Sequence, residues 1–78
     1  MTTSVVDANV VDVVVDAESL HVRLRDGRVI SVPRAWFPRL SQASDADLAA
    51  WRAIGEGEGI RWEALDEDIS IAGLLRTV

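Results

Sequence analysis

The chain of 78 residues contains no cysteine, no lysine and no tyrosine, and it has a single histidine and a single phenylalanine. Without cysteine, no disulfide or thiolate metal site can supplement a core that buries only about 60% of the unfolded surface at this length. His21 is the one imidazole, and no nucleophile motif surrounds it. It reads as a solvated histidine on a strand face rather than a catalytic base. A basic excess is also missing: eight arginines face thirteen acids, for a net charge of −5. Nucleic-acid binders carry a basic footprint, so direct DNA or RNA binding is not expected. No apolar run approaches about 18 residues, and the Met1-Thr2-Thr3-Ser4 start lacks a basic region. Neither a membrane span nor a secretory signal is therefore expected, and the expected compartment is the cytoplasm.

The charge that is present is unevenly placed. Residues 1–41 carry five acids (Asp7, Asp12, Asp16, Glu18, Asp26) and five arginines, whereas residues 42–78 carry eight acids and three arginines. The whole surplus of −5 thus lies in the second part. Nothing repeats internally, and the length suits one domain spanning residues 1–78, with residues 1–9 as a loose N-terminal arm.

Residues 10–16 are rich in β-branched side chains, which predicts a strand with Val11, Val13 and Val15 on one face and Asp12 and Asp16 on the other. Residues 20–25 alternate, placing Leu20, Val22 and Leu24 inward and His21, Arg23 and Arg25 outward. Ala17-Glu18-Ser19 would be the connecting loop, and Asp12 would then lie near Arg23 across the hairpin. Asp26-Gly27 is a strong turn signal, since glycine tolerates the positive φ of a tight hairpin. It leads to a third strand over 28–32, which Pro33 ends by removing a ladder donor.

Ser44 followed three residues later by Asp47 resembles a capping box. Leu48, Trp51 and Ile54 then fall at i, i+3 and i+6, predicting a short helix with Trp51 in the core and Gly55 as its stop. Gly55-Glu56-Gly57-Glu58-Gly59 reads as a mobile loop, not as a phosphate cradle, because its glutamates would repel phosphate. Ile60-Arg61-Trp62 reads as a fourth short strand. A final helix would start near Asp68 or Ser70 and turn Ile71, Leu74 and Leu75 inward. The predicted architecture is α+β: a three-stranded antiparallel meander plus a short fourth strand, covered by two short helices.

Two motifs stand out as candidate sites. Asp66-Glu67-Asp68 could hold a cation, but acids just ahead of a helix ordinarily cap its N–H groups and complement its dipole, and that reading is favoured. No metal, cofactor or catalytic residue is assigned, and the chain is read as non-enzymatic. Pro33-Arg34-Ala35-Trp36-Phe37-Pro38-Arg39-Leu40 makes a stiff turn bearing large aromatic area, suited either to plugging a small core or to anchoring a protein partner. One aromatic is expected inside and one partly outside.

Taken together, Asp26-Gly27-Arg28, Pro33, Trp36 to Leu40, Trp51, Ile60-Arg61-Trp62, Leu65 to Ile69 and Leu74-Leu75 form an ordered series. It is similar to the pattern of the bacterial domain-of-unknown-function 2442 family over about residues 10–76. The resemblance implies a small α+β domain, encoded beside a second small protein and acting as the antitoxin of a toxin–antitoxin pair. Some relatives carry a C-terminal helix-turn-helix, and this sequence stops at Val78 without one, so operator binding is not expected. An acidic partner would be steered to a small basic toxin and occlude its surface. The partner-binding residues would be Trp36, Phe37, Pro38, Arg39, Trp62, Asp66, Glu67 and Asp68. The alternative is a homo-oligomerising adaptor domain, dimerising through the Val-rich edge strand at residues 10–16.

Overall fold

The computed structural model describes residues 8–77. Its order is β1 (Val10–Val15), β2 (Ser19–Leu24), β3 (Val29–Pro33), α1 (Pro38–Ser41), α2 (Asp45–Ala49), β4 (Trp51–Ile54), β5 (Gly59–Trp62), β6 (Glu67–Ser70) and α3 (Ile71–Thr77). Short 3₁₀ turns occupy Arg34–Trp36 and Glu63–Leu65. The fold is α+β, but the strands form two three-stranded antiparallel sheets, β1-β2-β3 and β4-β5-β6, instead of one meander with a fourth strand.

The first sheet follows from its sequence pattern. Leu20, Val22 and Leu24 are buried, and Arg23 lies opposite Asp12 with its guanidinium 3.9 Å from that carboxylate. Gly27 takes a φ of 99°, as the Asp26-Gly27 turn requires. One detail differs. The register slips between Val10 and Asp12, so Val10 and Val13 are buried whereas Val11 is exposed, and the strict alternation expected of Val11, Val13 and Val15 fails at its first member. A bulge turns the residues on its two sides out of phase.

The second sheet replaces part of the expected helix. Ser44 caps α2 as predicted, its hydroxyl accepting the Asp47 N–H at 3.1 Å. The helix nevertheless ends at Ala49, and Trp51–Ile54 is a strand, with Trp51 opposite Trp62. The indole N–H of Trp62 donates to the Leu48 carbonyl at 3.0 Å, engaging an acceptor that a continuing helix would need. Three apolar positions at helical spacing were too few to outweigh strand pairing. Asp66 likewise does not cap the last helix: it closes the Glu63–Leu65 turn at a left-handed φ of 51°, and Glu67–Ser70 pairs with β5 before α3 begins at Ile71.

The glycine-rich segment is a close turn and not an open excursion. Both Gly57 and Glu58 donate N–H bonds to the Ile54 carbonyl, and Val10 N–H donates to the Gly57 carbonyl at 2.8 Å. Of the arm expected over residues 1–9, residues 1–7 lie outside the described residues, and Ala8 packs against the core. The core joins both sheets and the helices through Leu20, Val22, Leu24, Leu40, Leu48, Ile60, Trp62 and Leu74.

Candidate functional site

Pro33 and Pro38 fix the backbone on either side of the aromatic pair. Pro38 stands at the first position of α1, where its missing N–H costs nothing, and the Phe37 carbonyl accepts from Leu40 and Ser41. Arg34 locks the turn from beneath. Its guanidinium donates to the carbonyls of Leu40 at 2.9 Å, Asp16 at 3.0 Å and Ala43 at 3.4 Å. Arginine suits this task because its planar fork reaches several acceptors at once. With the turn held, Phe37 packs on the core and Trp36 remains 53% exposed.

The second wall comes from β6 and α3. Trp36 and Phe37 line one cleft with Asp68, Ile69, Gly73 and Leu74, of about 350 Å³. Two sequence blocks that lie some thirty residues apart thus meet in one place. Arg39 extends the junction: it donates to the Asp66 carbonyl and lies 3.9 Å from the Glu67 carboxylate and 4.0 Å from that of Asp66. Of the predicted partner-binding residues, Trp36, Phe37, Arg39, Asp66, Glu67 and Asp68 are brought together in this way, with Pro38 opening α1 beside them. Trp62 is not among them. It is fully buried beneath the second sheet, so its role is in the core.

The acids are not a bare negative patch. Arg61 is held at 3.1 Å by Glu63, at 2.9 Å by Asp66 and at 2.6 Å by Asp68. Arg52 binds the other oxygen of Glu63, its Nε at 2.9 Å. The hydrogen bond from Arg52, followed by that from Arg61, lowers the Glu63 pKa, and the Arg61 hydrogen bond lowers that of Asp66. The carboxylates in turn raise the Arg61 pKa, Asp68 most of all. Counting Arg39, Arg52 and Arg61 against Glu63, Asp66, Glu67 and Asp68, the cluster carries a net charge of only −1. Among the described residues, Glu18, Asp45, Asp47, Glu56 and Glu58 form no ion pair, and these leave the negative field uncompensated.

Sequence reasoning missed the surroundings of His21. Its Nε2 meets Asp16 Oδ2 at 2.8 Å and its Nδ1 meets Ser31 Oγ at 2.8 Å. Asp16 also accepts the N–H groups of Glu18 and Ser19. The histidine hydrogen bond first, then these two, hold the Asp16 carboxyl at a pKa of about 2. The register could have revealed it, because an Asp26-Gly27 hairpin puts Ser31 opposite His21. The group resembles a carboxylate–imidazole–hydroxyl relay, but it lies on an open sheet face. The shallow depression beside it is lined by Asp12, Val14, His21, Arg23 and Val29, without Ser31. Its evident work is to pin the first turn and β3 onto β2. A larger cleft of about 580 Å³ separates β1 from α2, lined by Val13, Val15, Asp16, Arg34, Asp45 and Leu48 among others. It contains none of the predicted partner-binding residues.

Comparison with known proteins adds two findings. The family described as "Protein of unknown function (DUF2442)" matches residues 10–78. A crystal structure of a protein of unknown function from Rhodospirillum rubrum is similar, with a TM-score of 0.74 and 30% identity over 90% of this chain and 87% of that one. No curated protein matches the chain.

Proposed function

Starting from the fact that the chain belongs to the DUF2442 family, we propose that it is a non-enzymatic protein-binding domain, and specifically an antitoxin that neutralises a small basic toxin by covering its surface. The observation that carries the docking site is Trp36. A tryptophan 53% exposed, on a turn locked by Arg34 and beside an apolar cleft, has the form of an interface anchor. Such a side chain brings large contact area while its backbone has little freedom left to lose on binding. The net charge of −5 supports a basic partner, through field and association rate rather than through the paired acids of the Arg61 cluster.

The test is co-expression with the adjacent open reading frame, read by growth and by affinity pull-down. The neighbour alone should arrest growth, and this protein should restore it through a stable complex. Trp36→Ala should keep the fold, since the side chain is half exposed, and weaken the complex about 30-fold or more as a hot-spot truncation. A harmless neighbour would remove the antitoxin role. A complex indifferent to Trp36→Ala would move the interface elsewhere.

A further inference from the structure

Edge strands expose unpaired backbone groups, and among the described residues three of the four sheet edges carry a guard. Along β1 the register slips, α2 runs beside the strand, and the Asp12 carboxylate accepts the Val13 N–H at 2.9 Å. β4 carries Arg52, and β6 carries Glu67 and Asp68. β3 is different: Val29-Ile30-Ser31-Val32-Pro33 has no charged side chain and no bulge.

The direction of its free groups follows from the turn. Leu24 N–H donates to the Arg28 carbonyl at 2.8 Å, which makes that pair a hydrogen-bonded one. Antiparallel ladders alternate, so Ile30 bonds to Val22 and Val32 to Leu20, and the N–H and C=O groups of Val29 and Ser31 point away from β2. They bond to no described residue. On the outer face of the same sheet Val29 is 58% and Val14 54% exposed.

We infer that β3 pairs antiparallel with β3 of a second copy of this chain, about a two-fold axis at Ser31, joining two three-stranded sheets into one of six. The strand is self-complementary in this arrangement. The two Ser31 residues exchange N–H and C=O bonds, and each Val29 N–H reaches the Pro33 carbonyl of the other copy, where proline's missing N–H ends the ladder. Charge favours a second copy at this end of the molecule, because residues 1–41 are balanced and the repelling surplus lies in residues 42–78. Arg28 and Arg34 would approach across the axis, yet both are turned back onto their own chain, Arg28 to Asp26 at 2.9 Å and Arg34 to its three carbonyls. The edge expected to dimerise from sequence, residues 10–16, is the guarded one.

A pair of five-residue strands buries less than about 1,200 Å², so the dimer is weak and concentration-dependent. Sedimentation of the full chain from low micromolar to near-millimolar concentration should show the mass rising toward two chains. In the concentrated sample the Val29 and Ser31 amides should exchange several-fold more slowly than in the dilute one. Ser31→Pro removes the N–H at the axis and with it the Ser31 Oγ contact to His21, whereas Val29→Lys places a charge on the exposed edge and leaves that contact in place. Both should hold the protein as a monomer, and Val29→Lys should do so with an unchanged circular dichroism spectrum. A mass of one chain throughout, a dimer undisturbed by Val29→Lys, or a dimer with freely exchanging Ser31 amides would each overturn the proposal. No β3 residue lines the cleft at Trp36, so the dimer and the proposed toxin docking can fail independently.

Discussion

Trp62 shows how much one side chain can settle. It is buried completely, and its indole N–H is the partner of the Leu48 carbonyl at the end of α2. Trp62→Phe keeps most of the volume but leaves that carbonyl unsatisfied, for an expected loss of about 1–3 kcal/mol. Trp62→Ala should cost about 3–5 kcal/mol through the cavity as well. Chemical denaturation of both variants checks the ordering, and a Trp62→Phe variant as stable as the parent would deny the hydrogen bond its role. Asp16 is the second residue with a readable consequence. Its carboxyl titrates at about 2 in the folded state against an ordinary value of 3.8, so its contribution is full above about pH 4 and fades as pH falls toward 2. Asp16→Asn should therefore lower the thermal midpoint at neutral pH, with the gap to the parent closing below about pH 2. Melting curves across that range would expose the opposite trend at once.

At the level of elements, the turn between β4 and β5 is the sharpest case. Gly57 has a φ of 94°, and a Cβ there would stand 2.7 Å from the Asn9 Cβ. Gly57→Ala meets both a left-handed backbone and a collision with the start of β1, so a loss of at least about 1–3 kcal/mol is expected. Gly73, inside α3, is the control. An added Cβ would meet only Ser70 at 3.6 Å, and Gly73→Ala should stabilise by about 0.5–1 kcal/mol. Opposite signs from one substitution type would establish that the glycine-rich turn is structural. The same elements explain where local reading failed. Helical spacing at Leu48, Trp51 and Ile54 and a run of acids at Asp66 to Asp68 are local cues. Both gave way to strand pairing with β5, which sets Trp51 opposite Trp62 and Gly59 opposite Ser70, beyond the one-turn reach of such cues.

Across the whole molecule, charge is divided as the chain is. The described residues extend over 45 × 22 × 16 Å, and the acids without ion pairs fall at Glu18, at the start of α2 and in the β4–β5 turn. Attraction of a basic partner should accordingly act over distance. Raising ionic strength from low to high should slow association while changing dissociation much less, as stopped-flow binding would show. Paired charges at Arg61 should matter less. Replacing Glu56 and Glu58 with lysine should slow association more than charge removal within the Arg61 cluster.

Sequence alone determined the first hairpin pair, the cap at Ser44, the inward face of β2, the aromatic turn and the surplus of acid in the second part. These features depend on neighbours within a few residues, through side-chain alternation, turn chemistry and simple counting. Only the tertiary structure decided which aromatic is exposed, that Trp62 belongs to the core, that Asp66 and Asp68 neutralise Arg61 instead of capping the last helix, and that β3 is the unguarded edge. Each of these depends on what lies opposite a residue in space. A chain of alternating apolar and polar groups can state that a strand has two faces, but not which distant segment will cover either one.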